Sequence, residues 1–285
     1  MKLIKFLIVL VFAAAIFGTA GFFAYQLYYK PEKADREEAR AVAEAPPPTP
    51  PPDYSLPALN KALALLKTGK TVEAREALRN FIAQYPESTG IGDAKDALGE
   101  ISMSFIYTSA PGPEKVDYVV VAGDSLVRVA SKTKSNAELI LRSNNLSSID
   151  LSIGQQLRIP ELDTALVLDR KAKTLSLLNG GQLLKEYPLL SMELPAAARG
   201  KDPVSTAVKD KVAVNGSERV AFGSRGYVGS DRWIMLDMAN AVIRGRPETA
   251  SNGQPAPMPP GMVVSQEDIE EIFPLVTRKT PVTIQ

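Results

Sequence analysis

Tyr118-Val119-Val120-Val121-Ala122-Gly123-Asp124-Ser125-Leu126 and, further along, Ile153-Gly154-Gln155-Gln156-Leu157-Arg158-Ile159-Pro160 are the two stretches on which the reading of this chain turns. The β-branched run Val119-Val120-Val121 favours a short strand, and Gly123 supplies a residue free to take a positive φ where the chain must turn. Asp124 and Ser125 then stand as polar caps before Leu126, Val129 and Ala130, which recur at the spacing of one buried helical face. A second helix is expected through Leu139, Ile140 and Leu141, ending at Asn144-Asn145, before a strand over Gln156–Ile159. Residues 117–160 therefore read as a βααβ module.

The pattern Tyr118-x-Val120-x-x-Gly123-Asp124-Ser125-Leu126, the middle Asn144-Asn145-Leu146 and the closing Ile153-Gly154-Gln155-x-Leu157-x-Ile159-Pro160 resemble a LysM domain over its whole length. The resemblance implies binding of polymers containing N-acetylglucosamine, peptidoglycan or chitin, in a shallow groove. Carried over by position, one lip would be Gly123, Asp124, Ser125 and Leu126, and the other Asp150, Leu151, Ser152 and Ile153. Such a site suits an acetamido sugar, because backbone groups freed in a glycine turn bond the amide while apolar side chains pack on the ring face. Gly123-Asp124-Ser125 reads equally well as a helix cap, so these residues shape the groove whether or not each touches sugar.

Beyond Pro160 the periodicity becomes that of strands: Thr164–Asp169, Thr174–Leu178, the hairpin signal Asn179-Gly180, then Gln182–Leu190. Further strands are expected at Lys211–Val214, Trp233–Leu236, Ala241–Ile243 and Pro281–Ile284. One late helix is announced by Ser265-Gln266-Glu267-Asp268, a capping box followed by Ile269, Ile272 and Phe273. The opening hairpin, Gly229-Ser230-Asp231-Arg232-Trp233-Ile234-Met235 and the ending from Ser265 to Ile284 resemble an L,D-transpeptidase domain over 163–285. That family exchanges a peptide bond in peptidoglycan stem peptides through a cysteine acyl-enzyme.

The family's reactive motifs are where the chain departs. A His-Gly step is replaced by Arg244-Gly245, and a Ser-His-Gly-Cys-x-Arg run by Pro259-Pro260-Gly261-Met262-Val263-Val264. A thioether has no proton to lose, so Met262 cannot become the nucleophile. Pro260 stands in place of the base, Arg244 is protonated at neutral pH, and Val264 replaces a carboxylate-orienting arginine. No catalytic residue is assigned, and the domain reads as a pseudoenzyme. An enzyme of altered mechanism using a Ser or Lys from elsewhere is the alternative, as is a scaffold that docks other cell-wall enzymes.

The other end of the chain carries a membrane expectation. Lys2 and Lys5 precede an uncharged, mostly apolar run from Phe6 to Tyr25, with Tyr25, Tyr28 and Tyr29 gathered at its end. That is long enough to span a hydrocarbon core, and the lysines favour a cytoplasmic N-terminus. Residues 1–29 are thus expected to form a transmembrane helix, with Gly18-Thr19-Ala20 leaving a cleaved signal peptide open as the alternative. The localisation that follows is a single-pass protein of the inner or cytoplasmic membrane, its C-terminal part in the periplasm or extracytoplasmic space. Residues 30–54, charged and then proline-rich through Pro46–Pro52, read as a stiff spacer.

Over 55–108 three apolar patterns appear, the first two stopped by Gly69 and Pro86 and the third running through Ala94, Leu98 and Ile101, with Thr71 placed to cap the second helix. Leu66-x-x-Gly69-x-x-x-Glu73-Ala74 followed by Tyr85-Pro86 resembles a tetratricopeptide-type repeat, present once with part of a second. Together these give a multidomain α+β chain: membrane helix, TPR-like helical segment, βααβ LysM module and mostly-β domain. In 285 residues, 33 basic groups balance 32 acidic ones, which offers nucleic acid no basic stripe. With no Cys and no His, thiol chemistry, soft metal sites and the commonest general base are excluded, and no cofactor or metal is expected. The partners expected are peptidoglycan and the membrane, with other cell-wall proteins as further candidates.

Overall fold

A computed structural model describes residues 2–30, 33, 36, 40, 52–200, 202–216, 218–246 and 259–285, and within 2–30 the side chains of 7, 10, 11 and 14–30. The chain divides into two compact units, Met1–Pro52 and Asp53–Gln285. Most of the expected spacer over 30–54 lies outside the described residues.

In the first unit the apolar run forms helix α1 (Lys2–Ala24), continued by a π-helical turn at Tyr25–Tyr29. Gly18, Thr19 and Gly21 interrupt the apolar residues, and Tyr25, Gln26, Tyr28, Tyr29 and Lys30 add polar groups to the end. Among the described residues no helix is long and apolar enough to cross a membrane. The expectations of a transmembrane helix over 1–29, of a membrane partner through it, and of a single-pass localisation are corrected by that finding.

The second unit opens with α2 (Leu56–Lys67), α3 (Thr71–Gln84) and α4 (Ile91–Ile106). They enclose a core of Leu59, Ala62, Ala74, Leu78, Phe81, Ala94, Leu98 and Ile101. Gly69 ends the first turn at φ +76°, a conformation a side chain resists. Thr71 does not cap α3: Lys70 is the N-cap, without a side-chain bond, and Thr71 is already helical. A polar tie sits earlier, where the Asp53 carboxylate accepts from Ser55 N at 2.9 Å, Ser88 Oγ at 2.8 Å and Thr89 N at 2.8 Å. It ties the start of α2 to the turn before α4.

The βααβ module follows as β1 (Lys115–Val119), α5 (Leu126–Lys132), α6 (Ala137–Ser143) and β2 (Gln156–Pro160), with β1 and β2 antiparallel. Its strand starts before Tyr118 and ends at Val119, earlier than the valine run indicated. Val120, Leu126, Val129, Ala130, Ile140, Leu157 and Ile159 form its core. Leu139 belongs instead to the core of the C-terminal domain.

That domain contains β3 (Thr164–Asp169), β4 (Thr174–Asn179), β5 (Gln182–Pro188), β6 (Ser191–Met192), β7 (Val204–Asn215), β8 (Glu218–Val220), β9 (Asp231–Leu236), β10 (Val242–Gly245), β11 (Met262–Val264), α7 (Gln266–Leu275) and β12 (Pro281–Ile284). The strands run in the order β5-β4-β3-β12-β7-β9-β10-β11-β6, with β8 on β7. The β4–β5 hairpin turns through Gly180 and Gly181, both at positive φ, between the paired Asn179 and Gln182. Ser265 caps α7 by accepting from Asp268 N at 3.0 Å. Ile269, Ile272 and Phe273 of α7 share a core with Ile234, Leu236, Ile243, Met262 and Val264 of the sheet.

The three parts of this unit are joined by polar contacts. Lys95 on α4 pairs with Glu186 on β5 at 3.0 Å, and Lys185 with Glu271 on α7 at 2.8 Å. Tyr107 OH donates to Glu271 O at 2.7 Å, and Arg142 of α6 donates to Glu270 O at 2.5 Å. Burial raises the Tyr107 phenol pKa, so it stays a donor.

Candidate saccharide groove and the altered motif run

The first lip of the groove is built by a carboxylate that faces inward. Asp124, its side chain 1% exposed, accepts from Lys132 Nζ at 2.7 Å, Val121 N at 3.0 Å and Tyr118 OH at 2.7 Å. These bonds, that of Lys132 foremost, lower its pKa to about 2. Asp124 thus spends its oxygens on holding the turn in shape. Gly123 sits at φ +83°, and its carbonyl accepts from the Arg128 guanidinium. Ser125 is the N-cap of α5, accepting from Arg128 N at 3.3 Å, and Leu126 is buried in the core.

The second lip is more open. Asp150 is exposed and bonds Ser148 Oγ at 3.0 Å, Leu151 packs partly on the core, and Ser152 N donates to Gln155 Oε1 at 3.0 Å. Ile153 is 75% exposed, an apolar residue held at the surface by Gly154 at φ +84°. The lips are brought together at Val120, whose O accepts from Gly154 N at 2.8 Å and whose N donates to Gln155 O at 3.0 Å. Of the eight residues singled out from the sequence, six present surface here, while Leu126 and the Asp124 carboxylate are turned inward.

The altered motif run is split between two faces of the sheet. β11 pairs in parallel with β10, Arg244 opposite Val263 and Gly245 opposite Val264. Met262 and Val264 are fully buried in the core shared with α7. Both glycines are explained by close approach: a Cβ on Gly261 would overlap the Val242 carbonyl, and one on Gly245 would overlap Gln266 of α7. Arg244 donates from Nε to Pro259 O at 2.8 Å and from Nη1 to Gly245 O at 3.1 Å, fastening β10 to the segment before β11. On the opposite face lies a cleft of about 740 Å³, lined by Trp233, Met235, Val242, Pro259 and Pro260 among others. Pro259 and Pro260 reach it; Met262 and Val264 do not line it.

A charged cluster that sequence reading missed lies between the module and the β-domain. Arg232, 3% exposed, is 3.9 Å from Glu138 of α6 and 3.5 Å from Glu270 of α7, and stacks 4.0 Å over the Tyr227 ring. Tyr227 OH donates to Glu138. Lys211 keeps some surface, yet its amine lies 4.4 Å from the Phe273 ring centre and donates to Val276 O at 2.6 Å. Burial lowers its pKa to about 7, against the pull of Glu138. The signal was hidden by a bulge between Val208 and Asp210, which shifts the alternation of β7 and turns Lys211 inward. Among the described residues no group of three or more acidic side chains is placed to hold a metal ion.

A two-stranded βααβ module with an exposed isoleucine beside paired glycine turns, fused to a mostly-β domain, is the class this geometry defines. Residues 118–160 match the LysM domain family. No curated protein matches the chain. Solved structures similar to it include an L,D-transpeptidase from Mycobacterium smegmatis, 12% identical with TM-score 0.30, over 47% of this chain and 64% of that one. L,D-transpeptidase 3 from Mycobacterium tuberculosis is 13% identical with TM-score 0.30, over 60% of this chain and 91% of that one. The catalytic domain of the E. faecium L,D-transpeptidase, in a form acylated by ertapenem, is 12% identical with TM-score 0.27, over 44% and 98%. The chain spans less than two thirds of the M. smegmatis protein. At these identities and TM-scores no residue role is carried over from them.

Proposed function

We propose that this protein binds peptidoglycan through its LysM groove and that its C-terminal domain, resembling an L,D-transpeptidase in sequence order, does no catalysis. The observation that carries the reading is the match of 118–160 to the LysM domain together with an open groove in which Ile153 and the glycine turns at 123 and 154 are presented to solvent. Apolar contact on the sugar face and bonds from turn backbone to the acetamido group are the interactions such a surface offers. Co-sedimentation of the full chain with purified sacculi tests it. Gly123→Val is expected to weaken binding about tenfold or more, because a β-branched residue resists positive φ at that turn. Unchanged binding by a folded Gly123→Val protein moves the groove elsewhere.

Support for an inactive C-terminal domain comes from chemistry. The chain has no Cys and no His, and Met262 offers neither a thiol nor an exposed side chain. Intact-protein mass spectrometry after incubation with a carbapenem is expected to show the unmodified mass. An adduct on the natural sequence establishes a different nucleophile and overturns the reading.

A further inference from the structure

The loop between β8 and β9 belongs to the C-terminal domain in sequence but is seated on the LysM module. Phe222 packs against the module's core and meets Tyr227 edge-on, ring centres 5.3 Å apart. Tyr227 in turn is bonded to Glu138 of α6. Gly223, at φ +85°, lies so close to the module that a Cβ there would come within 3.2 Å of Ile149 Cδ1. Ile149 immediately precedes the second lip. On the other side Val127, the residue after Leu126 of the first lip, lines a cleft of about 410 Å³ together with Val220, Ala221 and Phe222. The loop therefore touches the chain neighbours of both lips.

What the loop adds is charge. Val127 and Ile149 beside it are 65% and 44% exposed, an apolar surface. Arg225, two residues past Gly223, is exposed and has no ion pair or hydrogen bond among the described residues. A free guanidinium binds a carboxylate through two parallel N–H donors without first giving up an internal partner. Tyr227 and Phe222 anchor the loop, so little ordering is needed on binding.

We infer that the saccharide site is composite: loop 221–225 forms a third wall beside Ile149, and Arg225 selects an acidic cell-wall glycan over a neutral one. The free carboxylates of peptidoglycan's stem peptides, or of lactyl ethers that carry no stem, are the ligand chemistry; chitin has the same acetamido sugars without them. The inference rests on the glycan reading of the LysM groove.

Sedimentation of the full chain with sacculi and with chitin beads, at low and high salt, tests it. Peptidoglycan is expected to be preferred. Arg225→Glu lowers its binding about three- to tenfold, because a partly exposed attraction between charges is replaced by a repulsion, and leaves chitin binding within about twofold. The difference shrinks in high salt, and Arg225→Lys keeps only part of the preference, since the charge stays while the two parallel donors are lost. Arg225 is exposed, so the variants fold as the parent does. Equal binding of parent and Arg225→Glu to sacculi, or an equal loss on both polymers, overturns the composite site while the LysM reading stands. If the unaltered chain binds neither polymer, the glycan reading fails and the inference with it.

Discussion

Met262 shows how much a single position can decide. Its thioether cannot itself act as an acyl-transfer nucleophile, and its complete burial adds a geometric reason. Met262→Cys is expected to give a thiol that stays unreactive to aromatic disulfide reagents until the protein is unfolded. Met262→Cys with Pro260→His is expected to form no carbapenem adduct, because residue 260 is exposed while residue 262 faces the core. Rapid labelling of the folded double variant contradicts this. Met262→Ala should cost about 2–5 kcal/mol in denaturant unfolding, the usual loss for emptying a packed site. That the chain carries no thiol and no imidazole was legible in the sequence, since it needs only residue identity. Which way Met262 points was not, because a strand of three residues carries too short an alternation to show its buried face. Asp124 was half legible: a polar residue at the turn could be read, but Ser125 is the cap, and the bonds of Asp124 to Lys132 and Tyr118 depend on how β1 meets α5.

Strand β7 carries the main lesson about elements. The sequence read as a strand from Lys211, whereas the strand begins at Val204 and is bent by the bulge after Val208. A period of two cannot anticipate an inserted residue, so the turning of Lys211 toward Phe273 was invisible. Its titration is testable. With a pKa of about 7 in the folded chain against 10.5 for the ordinary side chain, both states hold the proton below pH 7, and the full burial penalty applies there. Between about 7 and 10.5 the unfolded chain binds the extra proton, so this group makes stability rise with pH. Lys211→Met is expected to raise Tm most near pH 6 and to lose that advantage progressively toward pH 10. A constant Tm difference across this range contradicts the assignment. Hairpin β4–β5 and the Ser265 cap were readable because glycine turns and capping boxes are local chemistry.

Across the unit Asp53–Gln285 the LysM module is fixed to its neighbour by Glu138, Arg232 and Tyr227, with Leu139 inserted in the neighbouring core. Arg232→Met leaves Glu138 and Glu270 without their shared cation and is expected to cost about 3 kcal/mol or more. Hydrogen exchange should show α6 and the loop 221–227 losing protection together; loss in one alone contradicts the coupling. The LysM stretch was legible from its motif order, but the surface that joins it to the strands after it was not, because it is made of residues far apart in the chain. The order of strands has a further consequence. β12 lies between β3 and β7, so it joins the β3-β4-β5 meander to the rest of the sheet, and it is made after both. On the ribosome the helices and the LysM module can fold early, while β3 and β7 wait as open edges. A nascent chain arrested at Arg278 should therefore be protease-sensitive and prone to aggregate in its β-domain, with its LysM module already intact.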